Sequence, residues 1–217
     1  MATLKDLLQY ITSDNTIDLE LALDQDPSLN DAKTEQGISL LQLAIYYRKP
    51  EMVRVLRSRR STIDVFEAAA IGEINAVRDT LTSKPELINS YAADGFTPLG
   101  LACFFGHFDI AQYLVNAGAD VNLASNNAFK VAPIHSSCSI SSFELTELLL
   151  KNNANVNATQ QQGVTPLHGT AHNGNHELTK LLIEYGADLG AKTDGGKTPL
   201  DMAVEKADII LAESLRG

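Results

Sequence analysis

Three of the chain's five histidines lie in the stretch "TPLHGTAHNGNHE", at His168, His172 and His176. On an uninterrupted helix, positions i, i+4 and i+8 share a face, and imidazoles aligned in this way are a starting set for a zinc site. That chemistry requires one helix to hold all three. Asn173 and Gly174 stand between His172 and His176, and an Asn-Gly pair ends a helix more readily than it continues one. The favoured expectation is that His168 and His172 share one helix while His176 opens another, so no metal or cofactor is assigned. A metal- or small-molecule-binding protein built on this cluster is the alternative.

No other set of residues suggests a reaction. The chain has no glycine-rich phosphate loop, no nucleophile elbow and no paired carboxylates in a recognisable frame, so no catalytic residue is assigned and an enzyme is not expected. A net charge of −10 and a sequence pI of about 4.9 argue against a nucleic-acid partner, which needs a basic face to displace phosphate counterions. One stretch runs the other way: "RKPEMVRVLRSRR" (48–60) holds six Lys/Arg and one Glu. It reads first as a solvated helix end and second as a docking patch for a partner of acidic character, near Arg54, Arg57, Arg59 and Arg60. The absence of any apolar run of about 18 residues argues against a membrane helix. The start lacks the basic head and long apolar segment of a secretory signal. Two cysteines, Cys103 and Cys138, cannot make a disulfide framework. These features together suggest a cytoplasmic setting.

The elements that must position these residues come from repetition. "GFTPLGLACFFGHFDIAQYLVNAGADVN" (95–122) and "GVTPLHGTAHNGNHELTKLLIEYGADLG" (163–190) align without gaps, with "KVAPIHSSCSISSFELTELLLKNNANVN" (130–157) between them and "GKTPLDMAVEKADIILAESLRG" (196–217) after them. Pro98, Pro133, Pro166 and Pro199 are spaced 35, 33 and 33 residues apart. More degenerate copies occupy 65–89, 37–56 and 7–31, the last with Asp14 where Gly72 stands. Each copy predicts two short antiparallel helices. Thr97, Thr165 and Thr198 cap the first helix, and the following proline takes the first helical position, where no N–H is needed. Gly72, Gly106 and Gly174 end that helix, and Gly118 and Gly186 end the second. One such pair cannot bury its own apolar stripe, whereas stacked pairs bury it continuously.

These motifs resemble the ankyrin repeat family over essentially the whole chain. The resemblance implies an all-α solenoid of stacked antiparallel helix pairs with extended, hairpin-like loops and degenerate capping repeats at both ends. It implies a single domain over 1–217, with units near 1–33, 34–60, 61–91, 92–126, 127–160, 161–193 and 194–217. In the family, the histidine of TPLH (His135 and His168 here) ties loop backbone between repeats, and His107 belongs to the Gly-His turn. Two departures stand out. Leu41 and its counterpart Val65 are 24 residues apart, so the loop between the second and third units is missing, "RSRR" takes its place, and a gap in the row of loops is expected. Lys130 also replaces a loop glycine. Cys103 and Cys138 take equivalent positions in consecutive units, too far apart for a disulfide at the ~8–10 Å spacing of packed helices.

The resemblance also implies a function: a non-catalytic protein–protein interaction module, expected as a monomer, that meets its partner on a concave face and at the loop tips. Carried over position by position, that surface comprises Tyr46, Tyr47, Ile71, Phe104, Phe105, Ile140, His172 and Asn173 before the turns, with Tyr91, Phe96 and Phe129 at the loops. Aromatic side chains at solvent-facing positions are candidate hot spots, because they bury area at low entropic cost.

Overall fold

A computed structural model describes residues 2–216. These residues form fourteen α-helices in antiparallel pairs: α1 (Leu4–Thr12) with α2 (Thr16–Gln25), α3 (Leu40–Tyr46) with α4 (Pro50–Ser58), α5 (Val65–Ile71) with α6 (Ile74–Ser83), α7 (Pro98–Phe105) with α8 (Phe108–Asn116), α9 (Pro133–Ser139) with α10 (Phe143–Lys151), α11 (Pro166–Asn173) with α12 (His176–Glu184), and α13 (Pro199–Glu205) with α14 (Ile209–Ser214). The first helices of successive pairs pack on one another, as do most of the second helices. The result is two layers, an arrangement in which most contacts run between neighbouring pairs.

Local chemistry sets the helix ends. The Thr97 Oγ1 accepts the Gly100 N–H at 3.0 Å, and the Thr198 Oγ1 accepts the Asp201 N–H at 3.2 Å. Gly106 and Gly174 take left-handed φ values of +83° and +68° at the turn, a region open to glycine at little cost. Other pairs make the same turn without glycine: Asp14, Arg48, Ser141 and Ala207 have φ between +53° and +61°. The stacking requirement overrides the residue preference at those sites. Lys130 likewise holds φ +52° in the loop where other units have glycine.

The core runs the length of the stack. Leu99, Ile134 and Leu167 are equivalent residues in α7, α9 and α11, each 1% exposed. Cys103 and Cys138 are buried free thiols; desolvation raises both, the Cys138 thiol to about 12. They therefore fill space as small apolar groups and have little nucleophilic character.

Two ladders join the later pairs. At the loop tips, the Asn126 N–H donates to the Gly95 carbonyl (2.7 Å), Gln161 N–H to Phe129 (2.8 Å) and Asp194 N–H to Gln162 (2.9 Å). On the other side, Asn122 Oδ1 accepts the Asn155 N–H at 2.7 Å and Asn157 Oδ1 accepts the Asp188 N–H at 2.8 Å. The missing loop interrupts the first ladder between α4 and α5, but the expected gap is closed at its tip. A methyl group placed on Gly37 would touch the Ala93 side chain at 3.4 Å, so the loops before α3 and α7 meet directly. A hollow of about 510 Å³ remains at the base, beside Lys33, Arg60, Asp64 and Lys84.

Candidate protein-binding face

The histidine cluster separates as its Asn-Gly break predicts. His168 is fully buried on α11, its Nδ1 accepting the Thr165 N–H (3.2 Å) and its Nε2 donating to the Lys197 carbonyl (3.0 Å). Both ring nitrogens are engaged, so neither is free for a metal. His135 repeats the arrangement one pair earlier, with Nδ1 accepting the Ala132 N–H and Nε2 within reach of the Ala158 and Val164 carbonyls. Burial holds its pKa below the ordinary histidine value. His107 Nε2 lies 3.0 Å from the Ala70 carbonyl. His176 starts α12 and meets Asp208 at 2.8 Å, across to the next pair. His172 alone is exposed and without a bond of this kind. Among the described residues, no group of three or more His, Cys, Asp or Glu is placed to hold a metal ion.

Four arginines of the basic stretch are paired within the chain. Arg57 makes a two-pronged contact with Glu73 (2.7 and 2.8 Å), Arg59 pairs with Asp24 (2.7 Å) and Arg54 with Glu51 (2.9 Å). Arg60 is the most enclosed. Its side chain is 7% exposed, bonded to Glu67 at 2.6 Å and to the Asn30 carbonyl at 2.8 Å, with Asp31 at 3.3 Å. Glu67 stands at the TPLH histidine position, is 5% exposed at its side chain, and also accepts the Ser39 hydroxyl at 2.5 Å. At the site of the missing loop, Arg60 thus links Glu67 at the start of α5 to the Asn30 backbone ahead of α3.

The aromatic residues form a row along the first-helix layer. Phe96 and Phe104 lie 6.4 Å apart between ring centroids, Phe104 meets Phe105 edge-on at 5.0 Å, and Phe105 reaches Tyr46 at 5.7 Å, all within the range of favourable ring pairing. Tyr46 sits on α3 and Phe105 on α7, so their rings meet across α5, where Ala69 and Ala70 are small and buried. The Tyr46 hydroxyl donates to the Asp94 carboxylate, which also accepts Gln42 Nε2 at 2.7 Å. Burial, then the Asp94 contact, raise the Tyr46 hydroxyl well above its ordinary value. Tyr46 and Gln42 thus join α3 to the loop before α7, bypassing the absent loop.

Of the residues singled out in the sequence, Tyr46, Ile71, Phe96, Phe105 and Ile140 are half-buried and packed against the core. Phe104 is half-buried between its two aromatic neighbours. Tyr47, Tyr91 and Phe129 are 53%, 39% and 57% exposed, and His172 and Asn173 are exposed at the end of α11. Sequence reasoning missed Gln42 and Asp94 as the bridge beneath this row. Gln42 at the TPLH histidine position was the available signal.

Paired helices stacked in two layers, joined by hairpin loops and histidine ties, define a helical-repeat solenoid. Comparison with known families identifies the repeat: the model for ankyrin repeats matches three times, over residues 19–125, 65–160 and 134–215. The chain belongs to the ankyrin repeat family. Among curated proteins it is similar to the probable 26S proteasome regulatory subunit p28 of Saccharomyces cerevisiae, 29% identical over 154 residues, covering 64% of this chain and 66% of that protein. It is also similar to protein phosphatase 1 regulatory subunit 27 of Mus musculus, 32% identical over 82 residues, covering 34% and 53%. A third relative is alpha-latrocrustotoxin-Lt1a of Latrodectus tredecimguttatus, 27% identical over 120 residues, covering 52% and 8%. The chain spans less than two thirds of the length of each of these relatives. No helix of the described residues is long and apolar enough to cross a membrane.

Proposed function

We propose that this chain is a non-catalytic protein–protein interaction module, acting in the cytoplasm as one domain of seven units. Its partner meets the loop-side face of the first-helix layer, the concave face in the family. The observation that carries this reading is the exposure of Tyr47, Tyr91 and Phe129 around the half-buried row of Phe96, Phe104 and Phe105. Large rings held by their edges and open on one side can bury area on a partner at low entropic cost. Family membership supports the same role, and two of the relatives are named as regulatory subunits.

An acidic partner docking on Arg54, Arg57, Arg59 and Arg60 is the weaker reading, because each already faces a carboxylate of this chain. The test is capture by the intact chain from its native source, with cross-links located by mass spectrometry, compared with a Tyr47→Ala/Phe104→Ala/Phe129→Ala variant. The expected result is cross-links on the first-helix face and at least tenfold weaker capture by a variant that keeps its circular dichroism and melting temperature. Undiminished capture by the folded variant would contradict the assignment of this face.

A further inference from the structure

Helix α11 carries a glycine in its interior that its backbone does not require. Gly169 is outside the left-handed region, and a Cβ added there would meet nothing within 4 Å. Glycine at such a position weakens a helix relative to alanine, because it leaves more chain entropy to be lost on folding. Gly100, the other glycine inside a helix of this layer, is crowded instead: a Cβ there would lie 3.2 Å from the Thr97 hydroxyl. The residues in the register of Gly169 in the neighbouring pairs are Leu101 and Ser136, both 1% exposed, and Met202. At α11 alone this column is left empty.

The vacancy is the floor of a hollow of about 250 Å³ between α9, α11 and α13, walled by Cys138, Val164, Pro166 and Met202. No Asp, Glu, Lys or Arg lines it, in a chain whose net charge is −10. His135 and His168 also line it, but their ring nitrogens are engaged by backbone, so they contribute little hydrogen-bonding capacity. The exposed Ser139, His172 and Asn173 stand at its rim. An uncharged, mostly apolar recess rejects a charged side chain, which would lose its hydration without gaining a partner. Its hydroxyl, imidazole and amide rim can bond to a peptide backbone.

We infer that this hollow receives one aliphatic side chain, the size of leucine, from a segment of a partner protein lying across the first-helix face, with Gly169 as its floor. The inference rests on the partner-binding reading above and assigns that partner an uncharged aliphatic anchor beside α11, away from the aromatic row. It also accounts for a helix-weakening glycine that no neighbouring atom requires.

The probe is N-acetyl-leucine N-methylamide, titrated into the 15N-labelled intact chain and followed by amide proton–nitrogen correlation spectra. Saturable shifts are expected at Gly169, His172 and Met202, with a Kd on the order of 1 mM for a ligand of this size. N-acetyl-lysine N-methylamide should leave those resonances in place. Gly169→Leu places a side chain on the floor, its Cβ meeting nothing within 4 Å, and should weaken the leucine probe at least tenfold while melting no lower than the parent chain. Absence of saturable shifts, equal response to the lysine probe, or unchanged affinity in a folded Gly169→Leu chain would each overturn the inference. Because the probe reads the hollow alone, its failure leaves capture through Tyr47, Phe104 and Phe129 to be judged separately.

Discussion

The pairs from α3 to α8 and those from α9 to α14 use one repeat and hold it together differently. In the later half, buried His135 and His168 tie α9 and α11 to the loops that follow, and loop backbones join in a ladder. In the earlier half a loop is missing. There the TPLH position holds Gln42 and Glu67, which use Asp94 and Arg60 as partners, and aromatic rings span α5. The stack thus tolerates loss of a loop when polar and aromatic side chains make the same junction by another route. It also leaves the two halves with different faces: rings fill one, and the other is hollow at Gly169.

The largest effect should come from breaking the earlier junction. Arg60→Ala leaves Glu67 buried without its cation, and removal of one partner from a buried pair costs ~3–5 kcal/mol. Denaturant unfolding should show that loss, and an Arg60→Met/Glu67→Met chain should lose less than either single truncation. Tyr46→Phe comes next. It removes a hydrogen bond to a carboxylate and should cost ~1.5–3 kcal/mol, with faster amide exchange in the loop before α7 than in the loops after α9.

A pH effect should sharpen the contrast from the later side. The folded-state pKa of His135 is depressed below the ordinary 6.5, so the folded chain binds this proton less readily than the unfolded chain. Its contribution is full above pH 6.5 and is lost as pH falls below that value towards the folded pKa. A melting series from pH 7.5 to 5 should show this slope, and His135→Gln should flatten it. The smallest effect has the opposite sign. Gly169→Ala should stabilise α11 by ~1 kcal/mol, whereas alanine at Gly106, with φ +83°, should destabilise α7.

Much of the fold was legible because it depends on local chemistry repeated at a fixed period. The capping threonines, the turn glycines and the histidine break at Asn173 each act within a few residues of chain, and Asp14 adopts the left-handed turn that its alignment with Gly72 implies. The candidate face was legible only as a set of positions. Whether Tyr46 faces a partner or Asp94 is settled by a residue 48 positions away. The basic stretch read as a solvated helix end or a docking patch because Asp24 and Glu73, which pair with its arginines, lie outside it in the chain. The hollow at Gly169 was illegible for the same reason: an empty site depends on residues of three helices at once.

If partners meet the loop-side face of the first-helix layer, binding must shield that face from solvent. Hydrogen–deuterium exchange of the intact chain, alone and with a captured partner, tests it most directly. The prediction is slowed exchange at Tyr46–Tyr47, at Phe104–Phe105, in the loop carrying Phe129 and at His172–Asn173, with α6, α8, α10 and α12 unchanged. Protection confined to those second-layer helices would contradict it.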